Sequence, residues 1–245
     1  MLLNIRRPRH PGRRDDVPMD PRGRPRGLVT LPGYKAGLKP PNAGLSFPAE
    51  VLTPDEIARL LTACPRRGAA GLRNRALIVL LWRGGLRCQE ALDLELRDVD
   101  EPAGTITVRH GKGNRRRVVG LDPPAFAILE RWLAERRRLG VPRGARVFCT
   151  ITKGNIGRPL GAAYWREAIK RLGIQAGIEK RVHSHGLRHT HAAELAREKT
   201  SIVVISRQLG HASIRMTQRY VDHLEPQEVV EVMQHRDWPI HEGLL

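Results

Sequence analysis

Cysteine is scarce in this sequence: Cys64, Cys88 and Cys149 stand far apart, with no C-x-x-C pair among them. That spacing argues against a disulfide framework and against a thiolate zinc site, and it fits a reducing cytoplasm. Long apolar runs are missing as well. The longest, around ALIVLLW at 76–82, is too short to span a bilayer, and the Arg-, Pro- and Gly-laden start lacks the apolar stretch of a secretory signal. A cytoplasmic protein without a membrane role is expected. Acidic residues are outnumbered, 25 Asp and Glu against 43 Lys and Arg, for a formal net charge of +18. A folded surface that basic attracts polyanions by long-range steering, and +18 exceeds what solubility alone asks of a domain this size. Nucleic acid is the leading partner.

What is present is enough for a core. With 245 residues and 40% hydrophobic content, the chain allows one large domain or two small ones. Residues 1–45 hold ten Lys and Arg, three Asp and many Pro and Gly with little apolar periodicity, which predicts a disordered basic arm over 1–48. Order begins at LTPDEIARLLTAC, where Thr53 is an N-cap, Pro54 fits the first helical position and Glu56 completes a capping box. A second helix is expected over 73–83, apolar all round its middle and stopped by Gly84-Gly85, then a short one carrying RCQEALDL. TITVRH and RRRVVGL flank GKGN, which reads as a β-hairpin with Lys112 at its tip. Helices follow at PPAFAILERWLAERRRLG and AAYWREAIKRLGIQAG, with RVFCT a candidate strand between them. Four short helices near 186–197, 202–209, 213–221 and 227–235 complete the chain. The fold class is α+β, mainly α, with one small antiparallel sheet and no internal repeat.

Five stretches carry residues with chemical potential: GGLRCQEAL with Arg87 and Glu90, HGKGN with Lys112, HGLRH with His185 and Arg188, LGHAS with His211, and TQRYVDH with Tyr220. Singly each is weak, since an arginine at a helix start is usually a surface charge and a tyrosine is usually a core-edge residue. Together they form the set that transfers a phosphodiester without metal. Guanidiniums give bidentate donation to the non-bridging oxygens, a role open to Arg87 and Arg188. A phenol with an ordinary pKa of about 10 is a poor nucleophile until a base and an electropositive pocket activate it, as His185 and the arginines could activate Tyr220. A lysine on a hairpin tip, Lys112, can protonate the leaving sugar oxygen. Lys153, in TKGN, also sits in a glycine-flanked loop; position in the first hairpin after GLRCQE favours Lys112.

The order G-L-R-x-x-E-x-L, hairpin lysine, H-x-L-R-H-T, L-G-H and a tyrosine nine residues beyond that histidine resembles the catalytic domain of the tyrosine recombinases, or phage integrases, over about residues 50–225. The resemblance implies that Arg87 and Arg188 clamp the scissile phosphate, Lys112 is the general acid toward the 5′ oxygen, and Tyr220 becomes a 3′-phosphotyrosyl linkage. It further implies His185 as proton acceptor or phosphate ligand, His211 as a phosphate hydrogen-bond donor, and Glu90 as the residue that holds an arginine or histidine in place. No cofactor is implied. The partners implied are double-stranded DNA, further copies of the chain on it, from dimer to tetramer, and accessory proteins. His189 is expected to pack or orient, and His183 and His191 to lie at the surface or hydrogen-bond to backbone.

Two rival readings stand beside that resemblance. His185 and His189, four apart on a helix, have a zinc-like spacing, but Gly186 stands where a metalloprotease helix carries its glutamate and no acidic third ligand follows, so no metal is expected. The other rival is a catalytically silent DNA-binding accessory protein of the same fold; type IB topoisomerases share the chemistry but match the L-G-H and H-G-L-R-H-T stretches less well. Most relatives carry a helical DNA-clamping domain ahead of the catalytic one, and only about fifty residues precede Thr53, so the chain is expected to be nearest to single-domain members such as the inverting recombinases of fimbrial phase switching. The catalytic domain is expected over 49–225 and a tail helix over 226–245, with Val229, Val230, Val232 and Met233 able to pack on their own domain or dock on a neighbouring protomer.

Overall fold

A computed structural model describes residues 50–109 and 116–211. Helix α1, Pro54–Ala63, opens with the expected reciprocal cap: Thr53 Oγ1 accepts from the Glu56 amide at 3.2 Å and Glu56 Oε2 accepts from the Thr53 amide at 2.7 Å. Helix α2, Ala69–Trp82, begins four residues earlier than its apolar pattern announces. Gly71 explains this, since a Cβ there would lie 1.8 Å from the Pro65 carbonyl oxygen, and only a bare Cα lets the helix start against that turn. From Ala76 to Leu81 every residue of α2 is buried, which matches a helix apolar on all sides, and it packs between the two later helices α4 (Pro123–Arg138) and α6 (Ser184–Arg197).

Beyond α2 lie the short helix α3 (Cys88–Leu92), a 3₁₀ turn at Leu96–Asp98 and an antiparallel sheet of β1 (Val99–Asp100), β2 (Thr105–Val108) and β3 (Arg117–Gly120), in the order β1-β2-β3. The hairpin strands pair in register from Thr105 with Gly120 to Val108 with Arg117; the tip with Lys112 lies outside the described residues. Strand β1 was not expected, because two residues carry no readable alternation. RVFCT, by contrast, is not a strand. It forms a single bridge between Cys149 and Pro159, and its backbone is used elsewhere: the Val147 amide donates to Leu94 O at 2.7 Å and its carbonyl accepts from the Trp132 indole at 3.0 Å. Helix α4 starts on the Asp122 side chain, which accepts from the Ala125 amide at 3.0 Å.

Helix α5 (Ala162–Gln175) packs on α1 and α3, and Trp132, Trp165 and Phe148 are the largest apolar side chains sealed in the core. Helix α7 (Ile202–Leu209) lies against α6 and β3, with Ala192, Ile205 and Leu209 forming a small cluster of their own. The architecture is mainly helical with one small antiparallel sheet, as the sequence implies. Among the described residues no helix is long and apolar enough to cross a membrane. The helices expected near 213–221 and 227–235 fall outside the described residues, as does the arm over 1–48.

Candidate active site

The site is built around the end of α7. Gly210 stops that helix in the left-handed region, φ +64°, with its amide on Arg207 O at 3.1 Å and the His211 amide on Ser206 O at 3.0 Å. This paired cap leaves the next carbonyls pointing out at the negative end of the helix. Three arginines from three elements take them in succession. Arg117, at the start of β3, donates Nε to Gln208 O at 3.1 Å; Arg188, on α6, donates Nη2 to Leu209 O at 2.6 Å; Arg87, ahead of α3, directs Nη2 to Gly210 O at 3.5 Å. Arg188 also donates to Gly85 O, at the turn between α2 and α3. So Arg87 and Arg188, separated by a hundred residues of chain, converge on adjacent peptide units immediately before His211.

Glu90 organises the arginines from below. Its Oε2 accepts from the Arg87 amide at 2.9 Å, closing the first turn of α3, and its Oε1 accepts from Arg87 Nη1 at 2.8 Å. The same carboxylate receives Arg117 as a fork, Nη1 to Oε1 at 2.9 Å and Nη2 to Oε2 at 2.7 Å. Burial works to raise the Glu90 pKa, and it is outweighed by the Arg117 guanidinium and the Arg87 amide and side chain, which hold the carboxyl down at about 2. Glu90 is therefore ionised throughout the physiological range. Three guanidiniums against one carboxylate leave an excess of positive charge where a phosphate dianion can be neutralised.

Helix α6 begins at Ser184, and no side chain caps its first turn, so the positive end of its backbone dipole remains open beside Arg188. His185 is exposed in that turn and His189 is buried one turn on; their rings meet edge to face, 4.2 Å between centroids at 76°. His183 Nδ1 lies 2.9 Å from Arg181 O. Among the described residues, no three of His, Cys, Asp and Glu are grouped so as to hold a metal ion.

His191 corrects the expectation of a surface or backbone-bonded histidine. It is 4% exposed and neither ring nitrogen has a hydrogen-bond partner. The reason is helical phase: position 191 follows Arg188 by three, so it shares the inward face of α6 and meets Gly85, whose added Cβ would lie 2.5 Å from His191 Cδ2. Gly85, at φ +60°, is the residue that lets α6 and α7 close on this turn. Burial first, and then the charges of Arg83 and Arg188, push the His191 pKa down to about 3.

Comparison with known proteins decides the family. The description "Phage integrase family" matches residues 50–227. The chain belongs to the phage integrase family. Among curated proteins it is similar to "Tyrosine recombinase XerD" of Mycobacterium tuberculosis, 34% identical over 201 residues that cover 79% of this chain and 62% of the relative. Among solved structures it is similar to the XerA recombinase, with a TM-score of 0.64 at 31% identity over 85% of this chain and 70% of that one. The XerH site-specific recombinase, solved bound to its palindromic difH substrate after cleavage, gives a TM-score of 0.60 at 29% identity over 76% of this chain and 52% of that one. The chain spans about three fifths of the length of the curated relatives it matches.

Within this phage integrase fold, then, the structure brings Arg87, Arg188, Glu90 and His211 to one place and sets His185 and His189 at the adjoining end of α6. Lys112 and Tyr220 lie outside the described residues. Sequence reasoning missed Arg117, which it took only as part of the RRR run at 115–117. The available signal was its place in the strand: Arg117 and Val119 alternate onto the inward face of β3, away from Val118, which is 57% exposed.

Proposed function

We propose that this chain is a site-specific DNA recombinase that cuts and rejoins double-stranded DNA through a 3′-phosphotyrosine at Tyr220. The observation that carries the reading is the meeting of Arg87 and Arg188 on the consecutive carbonyls of Gly210 and Leu209 at the end of α7, next to His211. In the reaction their guanidiniums exchange those carbonyls for the non-bridging oxygens of the scissile phosphate, His211 adds a hydrogen bond, and His185 accepts or relays the phenolic proton. The phenolate oxygen bonds to phosphorus as the bond to the 5′ oxygen breaks, and Lys112 gives that oxygen its proton. Rejoining is the reverse, with a 5′ hydroxyl attacking the phosphotyrosine, so bond energy is conserved and no cofactor is required. Tyr220 follows His211 by nine residues, a chain length of about 30 Å at full extension, which is enough for a phenol to return to the clamp.

Support comes also from the family, whose relatives bear the name tyrosine recombinase, and from the XerH neighbour solved on its DNA substrate. Strand exchange between two duplexes calls for several active sites, so the chain is proposed to act as a homo-oligomer, dimer to tetramer, on DNA, with accessory proteins choosing the outcome. The test is a nicked duplex, drawn first from DNA flanking the gene, that traps the covalent step. The parent protein is expected to give a DNA-linked band in denaturing gels and Tyr220→Phe none. DNA binding without an adduct in the parent, on every duplex tried, would overturn the reading in favour of a catalytically silent accessory protein.

A further inference from the structure

The carboxylate of Glu90 is shared unequally between its two arginines. Arg117 holds it through a full fork, 2.9 and 2.7 Å, while Arg87 holds it through one guanidinium nitrogen, 2.8 Å, and a backbone amide. Exposure follows the same division: the side chains of Arg117 and Glu90 are 10% and 5% exposed and that of Arg87 27%. Buried charge is thus paired with buried charge, and Arg87 keeps an open face from which a phosphate can approach. Arg117 is also wedged over the end of α7. A Cβ on Gly210 would lie 2.7 Å from its Cδ, and its Nε holds Gln208 O. Finally, Arg117 is the first residue of β3, paired with Val108, so the sheet fixes its backbone beside the end of α7.

We propose that Arg117 is a positioning residue for the phosphate clamp: it takes up the charge of Glu90 so that Arg87 keeps its own for the phosphodiester. This rests on the recombinase reading above. Two consequences separate the role from simple packing. Without Arg117, the Glu90 carboxylate turns its whole charge on Arg87, and the site loses positive charge where the phosphate binds. Neutralising Glu90 in the same protein then returns that charge, whereas a packing defect would only deepen.

The experiment compares the parent, Arg117→Ala and the double variant Arg117→Ala/Glu90→Gln in the full chain, with two readouts. Orthovanadate binding, followed as a thermal shift, requires no DNA and no cleavage. Single-turnover adduct formation on the nicked duplex reports the chemical step. Arg117→Ala is expected to weaken orthovanadate about tenfold and to slow adduct formation by roughly tenfold to a hundredfold, below the roughly hundredfold to thousandfold loss when a donor that touches the transition state is removed, because Arg117 acts through Arg87. Adding Glu90→Gln is expected to recover most of the orthovanadate affinity and about fivefold or more of the rate, as expected when a mutually compensating charge pair is removed together. Parental affinity and rate in Arg117→Ala, or a double variant no better than the single one, would overturn the proposal. If the alanine variant does not fold, Arg117→Gln, which keeps a side chain over Gly210, takes its place with the same expectations. Absence of an adduct in the parent itself defeats the recombinase reading, and the orthovanadate arm still decides the role of Arg117.

Discussion

Beside Gly85 the imidazole of His191 is buried with neither ring nitrogen hydrogen-bonded, and the charges of Arg83 and Arg188 act on it against the opposite pull of Asp122. Such a ring folds neutral. Its folded pKa, about 3, lies below the ordinary 6.5, so above pH 6.5 both folded and unfolded chains carry it neutral and its contribution to stability is fully present. As pH falls from 6.5 toward 3, the unfolded chain binds a proton that the folded chain refuses, and that stability is lost. The parent is therefore expected to lose thermal stability steeply between pH 6.5 and 4, and His191→Phe to lose less over the same range while differing little in slope above pH 7. Equal slopes in a melting series across pH would contradict this. Residue chemistry made Arg87 and Arg188 worth singling out in GLRCQEAL and HGLRH, since phosphodiester transfer needs planar cations. The two misjudged residues, Arg117 and His191, were decided by facing. One sits in a run of like charges and the other in a run of histidines, and neither composition says which side chain turns inward.

At the scale of elements, the parts that were legible are those with local causes. The Thr53 box, the helix opening at PPAF, the glycine stop after α2 and the hairpin strands flanking GKGN all depend on residues near in sequence. The early start of α2 and the two-residue β1 depend on close approaches at Pro65 and Ile106 that no residue pattern announces, and the failure of RVFCT to become a strand depends on Leu94 and Trp132, which are distant in sequence. The end of α7 combines both kinds of cause. Gly210 supplies the left-handed cap that any αL stop favours, yet it also has to leave space for the Arg117 side chain. Gly140 provides a control, with a nearly identical φ of +67° and nothing within 4 Å of an added Cβ. Gly140→Ala is expected to cost about 1 kcal/mol, the usual penalty of a non-glycine left-handed residue, with adduct formation unchanged. Gly210→Ala is expected to cost roughly 2–4 kcal/mol, strain and overpacking together, and to slow adduct formation further by moving Arg117 and His211. Chemical denaturation and single-turnover cleavage on the two variants would separate these terms, and equal effects at both glycines would refute the coupling of α7 to the arginines.

For the whole molecule the governing quantity is charge. A net +18 is long-ranged, and ten of the cations belong to residues 1–45 against only three aspartates there. The folded site needs only a few of the remaining cations to hold one phosphate, so much of the affinity for a duplex should come from contacts that do not discriminate sequence. Counterion release makes this measurable: each phosphate-bound cation contributes about 0.9 to the slope of log affinity against log salt. Replacing the ten Lys and Arg of residues 1–45 by glutamine is expected to flatten that slope by several units, up to about 9 if all ten engage phosphates. The rate of adduct formation at saturating protein should stay at the parental value, because the proposed clamp of Arg87 and Arg188 is untouched. A slope unchanged by the replacement would mean that the amino-terminal cations do not contact DNA, and a fall in the saturated rate would mean that they reach the reacting phosphate itself.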